Sequence, residues 1–392
     1  MKISIHKRVD APGIINYDIK FSDGRDPLTI FYESDSPGFS GNKHDDAILF
    51  STIHLAMRNA RQVHLHGTAT QKSLLNLIEY QKAWTRWKPE KYSEVKITAD
   101  TVIKGSCETD RAVSAYSGGV DALFSLFKNI PEGNPENITY NLGACLLVHG
   151  FDISLSDRTA FEVVRDRASV LHSSLGLESL WIRTNSKEAT GDWEDSFASQ
   201  LMACLHLFSD RFGIALIGSS EPYDELIIPW GSSPITDHLL SGGFMEAVHY
   251  GAGFSRTEKI EYLSKFPMAV ENLRVCWEGS DKTRNCGVCE KCMRTRLNFE
   301  AAGVRNPPCF LQPFDPKIAS TIRIKNDAQR RELESIVKFS RKKGNDSQWV
   351  ANLEAKVRSR PFPGRNILRA LVRKTGLRPM LRTLRGSSPF RK

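Results

Sequence analysis

The feature that most constrains the fold of this chain is a short apolar run that ends in a glycine-rich turn. Residues 112–116 form the apolar run, and Ser117-Gly118-Gly119-Val120-Asp121 follows it directly. Beyond Asp121 the apolar residues recur at helical spacing, which predicts an amphipathic helix. The order of strand, glycine turn and helix predicts an α/β protein in which this unit lies near a ligand.

The glycine turn has the chemistry of a phosphate-binding loop. Gly118 and Gly119 allow the backbone to turn sharply, so that its amide groups, including that of Val120, point at one anion. The N-terminus of the following helix adds unpaired N–H groups and the positive end of a dipole. Ser117 supplies a hydroxyl donor, and Asp121 is placed either to hold Mg²⁺ or to cap the helix. Because Ser-Gly-Gly also occurs in ordinary loops, the flanking pattern decides the interpretation.

Short apolar runs alternate with helical patterns downstream of this turn. Strands are predicted over 144–149, 180–183 and 214–217, and helices over 161–175 and 197–212. This alternation predicts a doubly wound parallel sheet. Ligands of such sheets bind beyond the carboxyl ends of the strands. We therefore expect a nucleotide site in which the glycine turn is joined by three residues at other strand ends, His149, Gly150 and Gly218.

The first 105 residues are predicted to form a small α/β accessory module. Its strands are expected near 3–5, 14–19, 28–32 and 63–66, and a helix is expected over 46–59. Two histidines, His64 and His66, alternate on one of these strands without an acidic or cysteine neighbour in the sequence. A structural role is therefore preferred for them over metal binding.

Four cysteines form the second strong signal: Cys276, Cys286, Cys289 and Cys292. Thiolates separated by two residues can hold one tetrahedral ion, and Gly287 permits the tight turn that this needs. Because four protein ligands leave no open coordination position, the spacing predicts a structural zinc site. An iron–sulfur cluster is the competing interpretation, since four cysteines hold such clusters as well.

The glycine turn and the four cysteines together resemble the PP-loop (N-type) ATP pyrophosphatases, and within them the 7-cyano-7-deazaguanine synthase group. The resemblance covers roughly residues 110–303. It implies a fold like that of the adenine nucleotide alpha hydrolases (HUP fold), ATP and Mg²⁺ bound at the Ser-Gly-Gly-x-Asp turn, and one zinc ion on the cysteines. Members of this family adenylate a carbonyl oxygen, release pyrophosphate, and let a nitrogen or sulfur nucleophile displace AMP.

A further stretch resembles the lysine-containing helix start that precedes the zinc site in this family. Residues 256–261 read Arg-Thr-Glu-Lys-Ile-Glu. The resemblance implies that Lys259 neutralises phosphate charge in the transition state, and that Lys259 and Asp121 are the catalytic residues. A solvated surface lysine is the alternative interpretation of Lys259.

The chain departs from the family pattern on the substrate side. Ala122 stands where the family has Ser or Thr, which removes one hydroxyl contact to pyrophosphate. The family's Gly-Arg-Asn segment has no clear counterpart before residue 197, and residues 233–238 replace its Tyr-Pro-Asp-Cys-Arg segment. We therefore expect a substrate other than the free deazaguanine of queuosine biosynthesis.

The positive charge of the chain is concentrated at its C-terminus. The formal net charge is +9, and residues 356–392 hold twelve Lys and Arg and no Asp or Glu. Within this tail, residues 366–384 interleave apolar and basic side chains, which suits an anionic partner such as RNA or a lipid surface, or a flexible solubilising tail. The predicted domains are 1–105 for the accessory module, 106–305 for the ATP pyrophosphatase domain with its zinc site, 306–355 for a helical extension and 356–392 for the basic tail.

Three functional hypotheses follow from these patterns. The first is a ligase that adenylates a carboxylate or amide oxygen of a small molecule or peptide, so that a nitrogen nucleophile forms an amide or nitrile. The second is a tRNA-modifying enzyme with the same ATP chemistry, in which the tail docks the RNA. The third is a non-catalytic nucleotide-binding or interaction protein, which Ala122 favours. A cytoplasmic location is expected because no apolar run of about 18 residues and no signal-like N-terminus occurs; a homodimer is left open.

Overall fold

The computed structural model describes residues 1–39, 43–131, 138–276 and 278–359. The strands are β1 (Lys2–Ala11), β2 (Ile14–Phe21), β3 (Leu28–Glu33), β4 (Gln62–Thr70), β5 (Lys96–Ile103), β6 (Arg111–Ala115), β7 (Asn141–His149), β8 (Glu178–Thr184), β9 (Ile214–Gly218) and β10 (Glu246–Tyr250). The helices are α1 (Asp46–Asn59), α2 (Gln71–Trp87), α3 (Val120–Lys128), α4 (Arg158–Ser174), α5 (Ser186–Thr190), α6 (Trp193–His206), α7 (Arg256–Leu263), α8 (Pro267–Glu271), α9 (Glu290–Ala301), α10 (Ile318–Thr321), α11 (Asp327–Lys342) and α12 (Gln348–Arg358).

All ten strands belong to one mixed, largely parallel sheet with the order β10-β9-β6-β7-β8-β3-β2-β1-β4-β5. The strands β10, β9, β6, β7 and β8 pair in parallel, as do β1, β4 and β5. The pairs β1–β2, β2–β3 and β3–β8 are antiparallel. Parallel pairing was predicted for the strands after the glycine turn and is found there, whereas no pairing was predicted for the first 105 residues. There β1 and β2 are joined by a tight turn at Gly13 (φ +79°), which makes them antiparallel.

The parallel half of the sheet reverses its strand order at β6. From β6 the chain adds β7 and then β8 on one side, and β9 and then β10 on the other. At such a switch point the connections leave β6 and β9 toward opposite faces, so a crevice opens beyond the carboxyl ends of these two strands. The glycine turn follows β6, and Gly218 ends β9. The topology therefore brings these two sequence features to one crevice.

Helices cover both faces of the sheet, and successive strand residues alternate between two hydrophobic cores. Val113 and Ala215 belong to the core that α1 and α6 complete, whereas Ala112 and Leu216 belong to the core of α3, α4, α7 and α9. A third, smaller core joins α9 to α10, α11 and α12. The near-continuous apolar runs of the strands are explained by burial on both faces.

The sheet and its core continue from the N-terminal 105 residues into the rest of the chain. Strand β3 pairs with β8 through Tyr32 and Glu33, and Glu33 accepts a hydrogen bond from Arg183 at 2.7 Å. On the sheet face, the buried Asp195 of α6 accepts hydrogen bonds from side chains of the first hundred residues: Lys88, Lys91 and Tyr92. The predicted boundary at residue 105 therefore runs through a shared sheet, and it stays a prediction.

Several predicted elements differ in extent from the observed ones. The helix predicted over 197–212 is α6, Trp193–His206, because the chain leaves the helix at Leu207 through short-range turns. The helical extension predicted over 306–355 contains α10, α11 and most of α12, and the Asn326 side chain caps α11 by accepting from Gln329 N–H at 2.9 Å. Strands β5 and β10 were not predicted.

The predicted basic tail and its amphipathic segment at 366–384 lie outside the described residues, except for 356–359. Within the described ranges, no helix combines the length and the apolar character that crossing a bilayer requires.

Candidate functional site

The glycine turn lies at the carboxyl end of β6 and leads directly into α3. Gly118 has φ +76°, a conformation that favours glycine. The N–H of Gly119 donates to Ser117 Oγ at 3.3 Å, and the carbonyl oxygen of Gly119 accepts from Leu123 N–H at 2.9 Å. The first N–H groups of a helix lack acceptors within the helix and lie at the positive end of its dipole. The turn therefore offers backbone donors, including that of Val120, to an anion in the crevice.

Strand β9 approaches the start of α3 closely at Gly218. A Cβ atom added to Gly218 would lie 2.6 Å from the carbonyl oxygen of Asp121. A larger residue would push β9 away from α3, so glycine is required here for packing. This contact fixes the spacing between the end of β9 and the start of α3. The predicted contact of Gly218 with a cofactor stays a prediction.

Asp121 is the centre of a buried charge cluster. Its Oδ1 lies 3.1 Å from Lys259 Nζ and its Oδ2 lies 2.7 Å from Arg256 Nη2, both on the first turn of α7. Lys259 is fully buried and also donates to the carbonyl oxygen of Ser219. Burial raises the pKa of Asp121, but Arg256 and Lys259 outweigh this effect and hold the pKa below its usual value. Lys259 is therefore a buried partner of Asp121 and not a solvated surface lysine.

Helix α9 adds two cations to the same cluster. Arg294 pairs with Glu290 at 3.0 Å and with Glu332, and Glu332 also lies 3.4 Å from Arg256. Burial, with a contribution from Arg256, lowers the pKa of Arg294 to about 10. Lys291 is half-buried, and burial together with Arg256 and Arg294 lowers its pKa as well.

The ammonium of Lys291 differs from the other cations because it has no hydrogen bond or ion pair within 4 Å in the described part of the chain, and Asp152 attracts it only from farther away. The cluster thus contains four cationic side chains, at positions 256, 259, 291 and 294, against the three carboxylates of Asp121, Glu290 and Glu332. The excess positive charge at the N-terminus of α3 favours an anionic ligand.

Arg274 connects the glycine turn to the segment that carries the cysteines. Its backbone N–H donates to Gly118 O at 2.8 Å, and its guanidinium Nη2 donates to Ser117 O at 2.9 Å. The side chain is buried, and its Nη1 reaches Lys282 O at 3.3 Å. These bonds fix the backbone of the turn from outside, so that its amide donors are held in place before a ligand arrives.

The four cysteines form a compact cluster that could hold a metal ion such as zinc. Their sulfur atoms lie within 4.8 Å of one another, with Cys276 Sγ 3.8 Å from Cys289 Sγ and Cys286 Sγ 3.9 Å from Cys292 Sγ. Four sulfurs at about 2.3 Å from a tetrahedral zinc lie about 3.8 Å apart, so the observed spacings fit such an ion. Gly287 has φ +75°, which agrees with the tight turn predicted there.

The surroundings of the cluster supply donors to the sulfurs. Backbone N–H groups of Gly279, Cys289 and Cys292 donate to the sulfurs of Cys276, Cys286 and Cys289 at 3.3–3.4 Å. Hydrogen bonding from Cys292 lowers the pKa of Cys289 to about 5, which favours the thiolate that a metal requires.

Asn285 fixes the two segments that carry these cysteines. Its Oδ1 accepts from the N–H groups of Val275 and Cys276, and its Nδ2 donates to Leu273 O and Cys309 O. All four ligands are therefore oriented by the protein itself.

His149 and Gly150 lie at the carboxyl end of β7, as the sequence predicted. His149 is buried, its Nε2 lies 2.9 Å from Ser154 O, and its ring stacks on Phe161 at 4.3 Å. Gly150 has φ +110°, and an added Cβ would lie 2.0 Å from Thr184 O. Packing alone therefore accounts for a histidine and a glycine at these two positions. The predicted contact of His149 and Gly150 with a cofactor stays a prediction.

The pair His64 and His66 has an acidic neighbour that the sequence did not indicate. Asp100 of β5 lies 2.8 Å from His64 Nε2 and 3.4 Å from His66 Nδ1, and His6 stacks on His66. The parallel pairing of β4 with β5 brings Asp100 there, and β5 was not predicted. The three side chains of His64, His66 and Asp100 are close enough to share a metal ion. They also pair with one another without a metal, since Asp100 contacts both histidines on an exposed surface.

Sequence reasoning missed most of the cations of the crevice. Arg256 lies in the stretch that was singled out for Lys259, whereas Arg274, Lys291 and Arg294 flank or interrupt the cysteine motif. The spacing of Lys291 and Arg294, three residues apart on α9, was the available signal, because such residues share one helix face.

Comparison with protein families, with curated proteins and with solved structures found no match to this chain.

Proposed function

We propose that this chain is an ATP-dependent ligase of the ATP pyrophosphatase type, with a HUP-like doubly wound core, that adenylates a carboxylate or amide oxygen for attack by a nitrogen nucleophile. The observation that carries the proposal is the buried cation cluster around Asp121 at the N-terminus of α3. Such a cluster, beyond the carboxyl ends of β6 and β9, suits a polyphosphate.

Different residues of the crevice would bind different parts of ATP·Mg²⁺. The amide groups of the glycine turn and the Ser117 hydroxyl would bind phosphate oxygens, and Asp121 would hold Mg²⁺. The ammonium of Lys291 makes no ion pair within 4 Å among the described residues and is attracted only by the more distant Asp152 and Asp121, so it can pair with a phosphate. Release of Asp121 toward Mg²⁺ would free Lys259 and Arg256 for the phosphates as well.

The chemistry that follows is mainly one of orientation and charge stabilisation. The substrate oxygen attacks the α-phosphorus, the bond to pyrophosphate breaks, and the cations offset the negative charge that develops on the leaving group. A nitrogen nucleophile then attacks the activated carbon, and AMP departs with the electron pair of the cleaved C–O bond.

The cysteine cluster has a structural role in this proposal. Its four ligands would complete the coordination sphere of a zinc ion, which leaves no position for substrate. Cys289 is the N-cap of helix α9, which carries Lys291 and Arg294 in its first turns. A zinc ion on the cysteines would therefore hold these cations at the crevice.

Exchange of radiolabelled pyrophosphate into ATP, in the presence of a panel of carboxylic acids and primary amides, tests the proposal. We expect exchange that depends on an acid or amide from the panel, and loss of exchange in the variant Lys259→Met. Lys265→Met is a matched control, because Lys265 lies two residues beyond α7 and is exposed. ATP binding without exchange on any member would reject ligase activity toward these classes.

A further inference from the structure

We propose that His249 and Asp237 form a general-base pair that takes the proton of a small amine nucleophile. The two residues lie beside the crevice, and neither was expected to act in catalysis. The inference rests on the proposed ligase function, because it assigns the second half of that reaction.

The geometry of the pair fixes which nitrogen of His249 is the base. His249 Nδ1 lies 2.8 Å from Asp237 Oδ2, and the side chains are 6% and 0% exposed. A carboxylate accepts, so Nδ1 carries a proton, and in the neutral imidazole Nε2 keeps its lone pair. In the described part of the chain, Nε2 is buried and has no hydrogen-bond partner. A buried acceptor without a donor is costly in a folded protein unless a ligand supplies the donor.

The carboxylate of Asp237 is held firmly in this arrangement. Its Oδ1 accepts from Ser233 N–H at 2.9 Å, and its Oδ2 accepts from Ser232 Oγ at 2.6 Å. Ser232 Oγ lies 3.4 Å from Nδ1 of His249, on the side of the ring that faces Asp237. Because Ser232 is not on the Nε2 side, the three residues do not form a serine-nucleophile triad.

His249 lines a narrow cleft that adjoins the proposed phosphate site. The cleft is also lined by Ser219, Glu221, Ser232 and Pro234. Ser219 follows β9, its N–H donates to Tyr250 O at 2.8 Å, and its carbonyl oxygen accepts from Lys259. Ser219 therefore lines the cleft and also contacts Lys259, the buried partner of Asp121.

The polar side chains that line the cleft, those of Glu221, Ser232 and His249, point to ammonia or a small primary amine as the occupant. The nitrogen forms a bond to the carbonyl carbon of the adenylated substrate, and the C–O bond to AMP breaks. The proton that the nitrogen loses goes to His249 Nε2, and Asp237 stabilises the imidazolium. Atoms and charges balance with the adenylate, the amine and the two side chains alone.

Nitrogen-15 NMR of the histidine-labelled full chain tests the pair without knowledge of the acid substrate. We expect His249 in its Nδ1–H tautomer, and a saturable response of its signals to ammonium chloride but not to potassium chloride at equal ionic strength. Asp237→Asn should change the tautomer, and His238→Gln, an exposed neighbour, should leave the His249 signals unchanged. An Nε2–H tautomer, or a response to both salts alike, would overturn the inference.

A kinetic measurement separates this inference from the proposed function. For an acid that supports pyrophosphate exchange, His249→Gln should lower the rate of hydroxamate formation from hydroxylamine relative to the exchange rate by at least about 100-fold. An unchanged ratio would reject His249 as the base while leaving the ligase function in place. Absence of exchange in the wild type would instead reject the ligase function, and the NMR result would still decide on the pair.

Discussion

Lys259 Nζ lies 3.1 Å from Asp121 Oδ1, and the side chain of Lys259 is 1% exposed while that of Asp121 is 18% exposed. A buried ammonium thus depends on a carboxylate that faces the crevice. Replacing only Asp121 with Asn leaves the ammonium without its full partner, which we expect to lower the free energy of unfolding by about 3–5 kcal/mol. The double variant, which carries Lys259→Met as well, should regain most of this lost free energy of unfolding because no buried ammonium remains.

Denaturant unfolding of the two single variants and the double variant measures this coupling. A loss below about 1 kcal/mol in Asp121→Asn, with additive effects in the double variant, would show that the pair is not coupled.

Metal removal should destabilise the chain through α9. We expect one zinc ion per chain by elemental analysis, and loss of the metal in Cys286→Ser together with a lower melting temperature. Cys107→Ser is the matched control, because Cys107 is exposed and lies outside the cluster. Retention of one zinc in Cys286→Ser, or iron in place of zinc, would contradict the assignment.

Lys291 is expected to contribute to ATP affinity and not to stability. Burial, together with Arg256 and Arg294, disfavours the charge of its half-buried ammonium more than Asp152 favours it, so removing the charge costs the fold little. Lys291→Gln should leave the melting temperature unchanged or raise it, and should weaken ATP·Mg²⁺ binding about tenfold, the loss of roughly 1.4 kcal/mol. Lys325→Gln, on an exposed segment, serves as control. A destabilised variant with unchanged affinity would indicate a purely structural lysine.

Asp195 should make stability depend on pH between about 4 and 2. Burial opposes ionisation of Asp195, but hydrogen bonds from Lys88, Lys91 and Tyr92 outweigh it and lower the pKa to about 2. A carboxyl with a lowered folded-state pKa stabilises the fold above its unfolded pKa, and this contribution is lost as pH falls through the folded value.

The variant Asp195→Asn should therefore be less stable than the wild type at pH 7 by about 2 kcal/mol, and the difference should shrink toward pH 2. A difference that stays constant from pH 7 to pH 2 would show that the charge of Asp195 is not responsible.

The sequence predicted the elements around the glycine turn because their signals are local. The strand, the turn with Gly118 and the helix after Asp121 all follow from apolar spacing and glycine chemistry, and the cysteine spacing likewise predicted one cluster. Edge strand β10 is only five residues long and its apolar residues are interrupted by His249, so it was missed, and His249 was missed with it.

The pairings between distant segments could not be predicted from local patterns. Asp100 lies beside His64 only because β4 pairs with β5. Likewise, β3 of the accessory module pairs with β8, although about 145 residues separate these strands in the sequence. The resemblance to a family implied a catalytic role for Lys259 and for Asp121, but their ion pair was not predicted, since no local pattern joins residues so far apart in sequence. Tertiary packing decides such contacts.

Calorimetric titration with ATP·Mg²⁺ tests the central claim, that the glycine turn at the start of α3 binds ATP, most directly. We predict one site per chain in the wild type, weaker binding in Ser117→Ala, and unchanged binding in the control Ser320→Ala, which alters an exposed serine of α10. Saturation at about 100 times Kd should also add about 2.7 kcal/mol to the stability of the wild type. No heat and no stabilisation up to millimolar ATP, or equal affinity in Ser117→Ala, would contradict the claim.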